Sequence, residues 1–492
     1  MRTRGAAEAP LDFCLVVECS SIVPEKNQTM QRSWKAMSKN RESILEVEKI
    51  NSKGQGISHL ADGRIAFIDD VLPGEKVKAR IVSEKKSYAV CECSKILEHH
   101  PERVEPPCKW FGKCGGCQLQ HCTYDLQLQL KRKILEDALS RIGRLDLPIE
   151  VEPCVPSPRI TGYRNKASFP LRRSDDQTMP GFFMKASHQL VQVRTCTVLD
   201  EDLDALFRAM DPFFAAMGSQ GYQEKGHKGI FRHLILRKAV FTGEMLLCLV
   251  VKRLPGKTLL DSLVGEYDQL NALFPSLKGF ILNHNASFTN VILGKSTSLL
   301  AGRSYLQERV GDYSFRFDGT SFFQVNPPQA EKMFTHVASE VFRSGGRKIM
   351  ELYSGVGTIT SFLASKANSV TAVEEWPSAV EFMKVNLLNN GLDNVRIHVG
   401  KTETVIPDLR DGNFDTVVLD PPRAGCGKEV LEEITETIVP STIVYVSCNP
   451  ATLARDLSIL KDGGYSIRRI SPFDMFPQTF HVETVVTLEK RI

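Results

Sequence analysis

Cys448 follows the apolar run Ile443-Val444-Tyr445-Val446 and stands in the polar setting Ser447-Cys448-Asn449-Pro450. The run reads as a buried β-strand, which puts the thiol at its C-terminal tip, where ligands bind in open α/β sheets. A thiolate is the best side-chain nucleophile for an electron-poor carbon. A buried structural cysteine is the common alternative, and the polar neighbours argue against it. Glu483 opens a late strand pattern, Glu483-Thr484-Val485-Val486-Thr487-Leu488, and is a candidate general base. One thiol, one base and a methyl donor make the set needed to methylate C5 of uracil. C5 alone is a poor nucleophile. Thiolate addition at C6 generates an enolate whose C5 attacks a methyl sulfonium, and a base must then remove the C5 proton so that the thiolate can leave.

A donor pocket is legible upstream. Lys348 to Thr358 reads as strand, glycine turn and helix start, with Gly355 and Gly357 allowing close backbone approach at the helix N-terminus. The next strand pattern, Ser369 to Val373, ends in Glu374, 23 residues after Glu351, a spacing at which an acid commonly accepts from ribose hydroxyls. A dinucleotide usually wants a third glycine, but position 360 is threonine, so S-adenosylmethionine is favoured. Thr416 to Leu419 forms a third strand pattern, and the prolines after Asp420 stop it, leaving that acid at the sheet's mouth. An aspartate that merely caps a turn is the plainer reading. It loses weight beside Gly355, Glu374 and Cys448 at neighbouring strand ends.

These strand ends need a parallel, doubly wound sheet, and from about Gly346 onward strand, glycine turn and helix alternate as such a sheet requires. The 492 residues, 42% hydrophobic and 24% charged, allow roughly two to four domains. A net charge of +4 permits a nucleic-acid partner without demanding one. No apolar run reaches the ~18 residues of a membrane span, so the expected location is cytoplasmic and the expected state monomeric. Residues 1–37 read as a polar tail, or as an upstream extension if Met37 is the true start. From Ser38 to about Ile96, short β-rich runs alternate with turns, as in a five-stranded oligonucleotide-binding barrel, with Lys53, Lys76, Lys78, Arg80, Lys85 and Lys86 giving it a basic side. A helix is predicted over Leu126 to Ile142, with Lys131, Arg132 and Lys133 largely off its apolar face and Gly143 as its stop. Residues from about 150 to 310 mix strands and helices.

The chain has 13 cysteines, an odd number without a regular framework, which favours a metal or cluster site plus a reactive thiol over disulfides. Cys108, Cys114 and Cys117 share one loop, and Gly115-Gly116 allows the tight backbone that lets thiolates converge. Cys122 lies close by in sequence as a fourth candidate, and four cysteines would also suit zinc. Gly162-Tyr163-Arg164-Asn165-Lys166 sets an aromatic beside two cations, a pattern suited to stacking on RNA and contacting phosphate.

The segments Ser447 to Asp456, Asp420-Pro421-Pro422-Arg423, Ser321 to Asn326 and His481-Val482-Glu483 together resemble the RNA (uracil-5-)-methyltransferase family, in particular its 23S ribosomal RNA branch that carries an iron–sulfur cluster. The likeness runs from the small barrel to the C-terminus. It implies a multi-domain chain: an all-β, OB-like TRAM barrel over 38–98, an α+β central domain with the cysteine cluster over 99–320, and an α/β Rossmann-like methyltransferase domain over 321–492. It further implies that Gln324, Tyr353, Glu374 and Asp420 contact S-adenosylmethionine, with Cys448 as nucleophile and Glu483 as proton acceptor. Cys196 would join Cys108, Cys114 and Cys117 as the distant fourth ligand of a [4Fe-4S] cluster, with zinc as the alternative and a structural or RNA-binding role in either case. The implied substrate is 23S ribosomal RNA. Transfer RNA is the alternative, and a non-catalytic RNA-binding assembly factor is a reading from another class. The resemblance, and no spacing rule, decides for uracil over cytosine.

Overall fold

The computed structural model describes residues 42–145 and 150–491. The expectations for the N-terminal tail and Met37 lie outside the described residues.

The N-terminal barrel is a six-stranded sheet in the order Glu42–Glu46, Lys76–Glu84, Tyr88–Glu98, Ile65–Ile68, Gly56–His59, Lys49–Ile50. The sixth segment arises because the first expected strand bends at Val47-Glu48. One half pairs with Lys76–Glu84 and the other with Gly56–His59, so a single bent strand supplies both edges and closes the sheet. Alternation fills the interior with Leu45, Ala66, Ile68, Val77, Ala79, Ile81, Ala89 and Cys91. Three of the six cations of the expected basic side are ion-paired on its outer face. Lys78 pairs with Glu42, Arg80 with Glu92 at 2.6 Å and Lys76 with Glu98 at 3.3 Å.

The central sheet runs Ser296–Gly302, Leu277–His284, Met245–Val251, Phe231–Lys238, Lys166–Ser174, Gln177–Pro180. Its two middle strands, Phe231–Lys238 and Met245–Val251, are buried at every position, which explains the unbroken apolar run of the second. The first also buries Arg237. Its guanidinium donates to the carbonyls of Asp318, Ser321 and Phe323 and lies 4.4 Å from the Phe317 ring, fixing the segment that leads to Gln324.

The C-terminal sheet has seven strands in the order Val395–Val399, Ser369–Glu374, Lys348–Leu352, Thr416–Leu419, Thr442–Ser447, Glu483–Lys490, Tyr465–Phe473. Glu483–Lys490 runs opposite in direction to the other six. The order reverses beside Lys348–Leu352, which creates the crevice that ligands of such sheets occupy.

The helix Tyr124–Arg141 begins at Thr123, whose hydroxyl accepts from the Leu126 amide, and ends just before Gly143. It packs on the C-terminal sheet's helix Pro450–Asp462, with Leu135, Ala138 and Leu139 against Leu453, Ala454 and Leu457. It therefore belongs physically with the residues beyond 321, although it lies within the expected central segment. Lys131 departs from expectation as well. It is completely enclosed, ion-paired with the equally enclosed Asp474 and bonded at 2.9 Å to the Phe476 carbonyl. The periodicity missed this because the partner lies 343 residues away in sequence. Among the described residues, no helix is long and apolar enough to cross a membrane.

Replacing Lys131 with Met should leave a buried carboxylate unpaired and cost ~3–5 kcal/mol, whereas K131M/D474L should recover much of that loss. Urea unfolding of the full chain tests this, and a K131M midpoint within error of wild type would refute the assignment.

Candidate active site

The strand register brings the expected nucleophile and base together. Ser447 faces Thr484 across the antiparallel pair, so Cys448 and Glu483 lie side by side where the two strands end. Burial is the main cause that raises the Cys448 thiol well above its usual value; neighbouring Glu483 and Asp420 add to it, while Arg423 opposes it. Burial likewise pushes Glu483 up to about 8, with Asp420 raising it further and Arg423 lowering it.

The residues after Cys448 hold the loop that follows Asp420. Asn449 caps the helix Pro450–Asp462 by accepting from the Ala451 amide at 3.1 Å. Its amide nitrogen donates to the Arg423 carbonyl at 3.0 Å, and the Thr452 hydroxyl donates to the same carbonyl at 3.2 Å. Arg455 donates to the carbonyls of Ala424 and Cys426 at 3.0 and 3.2 Å. Asp456, wholly buried, accepts from the Cys426 amide at 2.9 Å and the Tyr445 hydroxyl at 2.6 Å. The run from Ser447 to Asp456 is thus a bracket for the Asp420 loop.

Two contributors had no role assigned from sequence, although both stand in the quoted motifs. Arg423 is the cation facing Cys448 and Glu483. Its Nη2 lies 3.3 Å from His481 Nδ1. A guanidinium only donates, so His481 accepts through Nδ1 and carries its proton on Nε2. Burial, then Arg423, hold the imidazole far below its usual pKa and therefore neutral.

Of the expected donor-binding residues, Gln324, Tyr353 and Asp420 line a cavity of about 30 Å³ together with Phe323, Glu351 and Gly355. Glu374 sits beside it. Its carboxylate accepts from the Gly355 amide at 2.7 Å and the Trp376 amide at 2.9 Å, which fixes the glycine turn. Gly357 is obligatory there: its φ is +83°, and a Cβ would come 2.7 Å from Met383 Cγ. Burial pushes Asp420 up to about 7 and Glu351 to about 8, and Glu351 Oε2 is buried without a hydrogen-bond partner. No lysine, arginine or histidine is among the described residues lining this cavity. Such a pocket, acid-rich and cation-free, fits a ligand that brings its own positive charge and hydroxyl groups.

Cys108, Cys114, Cys117 and Cys196 line one cavity of about 110 Å³, walled by Trp110, Tyr163, Phe182 and Phe183. Cys122 is elsewhere, buried in the apolar cluster of Leu119, Leu126 and Leu130 with its thiol donating to the Leu119 carbonyl. Burial pushes the Cys114 thiol up to about 11 and raises Cys117 and Cys196. Among the described residues, no group of three or more His, Cys, Asp or Glu side chains is arranged to hold a metal ion.

The segment Gly162 to Lys166 does not present a stacking surface. Tyr163, Arg164, Asn165 and Lys166 are all buried, and the Tyr163 hydroxyl donates to the Pro477 carbonyl at 3.0 Å. Aromatic and cation serve an internal joint here, a use that local pattern cannot distinguish from an RNA contact.

Residues 123–491 match the model of the tRNA (Uracil-5-)-methyltransferase family, and residues 40–90 match the TRAM domain. An uncharacterized RNA methyltransferase of Halalkalibacterium halodurans is 37% identical over 92% of this chain and 98% of its own length. One from Gloeobacter violaceus is 39% identical over 91% and 96%. Among solved structures, the Pyrococcus abyssi tRNA (uracil-54, C5)-methyltransferase in complex with S-adenosyl-L-homocysteine superposes with a TM-score of 0.72 at 29% identity, covering 90% of this chain and 99% of that one.

The buried carboxyls set a pH dependence. Unfolded, Glu351, Glu483 and Asp420 ionise near 4.5, 4.5 and 3.8; folded, they do so near 8, 8 and 7. Their contribution to stability is complete below about pH 4 and is lost as pH rises toward 8. The melting temperature of the ligand-free protein should fall between pH 5 and pH 8, and E351Q should flatten part of that slope. A wild-type curve that rises over this window would contradict the assignment.

Proposed function

Because the chain belongs to the tRNA (uracil-5-)-methyltransferase family, whose model spans residues 123–491, we propose that it methylates C5 of a uridine in RNA, acting as a cytoplasmic monomer with S-adenosylmethionine as methyl donor. The observation that carries this reading is the pairing of Cys448 with Glu483 at adjacent strand ends, beside the acid-lined cavity. Gln324, Tyr353, Glu374 and Asp420 would hold the donor, and Glu351 adds a fifth polar group at the same cavity. The donor supplies an electrophilic methyl group on a sulfonium.

The protein's own part begins with the Cys448 thiolate, whose proton must leave against burial and two neighbouring acids. Arg423 is the cation placed to offset them. Sγ bonds to C6 of uracil, and the C5–C6 π electrons move onto the O4 enolate. C5 then takes the methyl group as the methyl–sulfur bond breaks and its electron pair leaves with the neutral thioether. The Glu483 carboxylate removes the C5 proton, the electron pair re-forms the C5–C6 double bond, and the C6–S bond breaks to free Cys448. His481, neutral and bonded to Arg423, keeps that cation oriented without adding a second charge.

Cys108, Cys114, Cys117 and Cys196 would hold a [4Fe-4S] cluster in a structural or RNA-positioning role. The observation behind this is that all four line one cavity, and zinc is the alternative. The substrate reading is 23S ribosomal RNA, resting on the cysteine-loop resemblance. The Pyrococcus abyssi relative is by its name a transfer-RNA enzyme with the same architecture, which keeps transfer RNA as the second reading.

Anaerobically purified protein, labelled S-adenosylmethionine and total RNA from a strain lacking the gene decide between these. Label as 5-methyluridine in 23S RNA supports the first reading and label confined to transfer RNA the second. The absence of label in every fraction, with the cluster intact, overturns both in favour of an RNA-binding factor. C448A should lose turnover by at least ~10³-fold, and E483Q should retain adduct formation, seen as an RNA–protein band that survives denaturing gel electrophoresis. Cys448 and Glu483 both act as anions, and burial raises both, so the single-turnover rate should rise with pH through about 8 and continue to rise above it. A rate that falls over that range would remove Glu483 as the base.

A further inference from the structure

The segment from Asp474 to Val482 joins the strand Tyr465–Phe473 to the strand that opens with Glu483. Phe473 and Glu483 face each other in register, so this segment closes a hairpin directly at the base. At its middle stands Gln478, which is 5% exposed and has a φ of +71°, a conformation costly for a residue with a side chain. Five hydrogen bonds hold it there. Its amide donates to Gln127 Oε1 at 2.9 Å, and its carbonyl accepts from the amides of Gln118 and Leu119 at 3.0 and 2.9 Å. Its side-chain oxygen accepts from Gln127 Nε2 at 3.1 Å, and its side-chain nitrogen donates to the Ile160 carbonyl at 3.2 Å.

Gln118 and Leu119 directly follow Cys117, and Tyr163, which lines the thiol cavity, bonds to the neighbouring Pro477 carbonyl. On the other side, the Thr479 hydroxyl accepts from the His481 amide at 3.2 Å, and His481 meets Arg423. A chain of contacts therefore runs from the wall of the thiol cavity through Gln478 to both groups that act on Cys448. Strained backbone that surrounding bonds over-determine is the mark of a segment selected for placement.

We propose that Gln478 is a positioning residue for the proton-abstraction step, fixing Glu483 against the wall of the thiol cavity. The proposal rests on the covalent reading above. It assigns Gln478 to a late step: methyl transfer needs Cys448 on its own strand end, whereas removal of the C5 proton needs Glu483 in line.

The test is a single-turnover comparison of wild type, Q478A and Q127A in the full chain with its cluster, using RNA tritiated at uracil C5. Q127A removes two of the five bonds from outside the segment. Both variants should release tritium ~10- to 100-fold more slowly while the denaturation-resistant RNA–protein adduct accumulates and RNA affinity stays within ~2-fold. Loss of tritium release without adduct accumulation would make the role merely structural and overturn the proposal, as would unchanged rates in both variants. Wild-type protein that never releases tritium would overturn the covalent reading itself.

Discussion

The structure turns on a buried ion pair. Lys131 and Asp474 are both shut away from water, and neither could be tolerated there alone. Their contact fastens the helix Tyr124–Arg141 to the segment that precedes Glu483. The same segment takes the Asn326 amide on the Met475 carbonyl at 3.1 Å, and Phe480 packs into the apolar cluster of Ile50, Leu72 and Leu119. Barrel, cysteine loop, helix and donor-binding motif thus all touch nine residues between two strands. An ion pair is an expensive joint, but it specifies one partner, and an apolar contact of equal area would not.

The two halves of the site follow opposite electrostatic rules. The cavity lined by Gln324, Glu351, Tyr353 and Asp420 gathers buried acids, has no cation among its described lining residues, and leaves Glu351 Oε2 and the Tyr353 hydroxyl without a hydrogen-bond partner. The reacting end places one cation, Arg423, against a thiol and a carboxyl that burial has pushed toward their neutral forms. Asp420 belongs to both halves, raising Glu351 in the first and Glu483 in the second. Asp420 is thus the carboxyl through which the cavity and the Cys448–Glu483 end share one electrostatic environment.

Much of this was readable from the chain because strand tips advertise themselves. Apolar runs that end in Glu374, Asp420 and Cys448 place three candidate residues at the carboxyl ends of inner strands, and the antiparallel register puts Glu483 next to Cys448. What stayed hidden depends on distant partners. Lys131 looked like a solvated lysine, since nothing local announces Asp474. Gly162 to Lys166 looked like an RNA contact, since a buried tyrosine with a far carbonyl partner has the same local composition as an exposed one. The bend at Val47-Glu48 was invisible because it serves closure of the barrel, a demand set by the other strands.

Why the base should sit on a hairpin tied to the cysteine loop follows from the topology. Cys448 ends a parallel strand and is placed by its own sheet and helix, with Pro450 at the helix start limiting any drift. Glu483 begins the one antiparallel strand, so its position depends on the turn before it. A nine-residue connection is long enough to sample many shapes, and the conformational entropy of fixing it is substantial. The sheet cannot supply that constraint because the segment lies beyond its edge. It has to come from outside, and the elements that reach the segment include the helix Tyr124–Arg141, the loop that carries Cys117, Tyr163, Asn326 and the barrel. The bonds from Gln118, Leu119 and Gln127 to Gln478 supply part of that constraint, a few residues before Glu483.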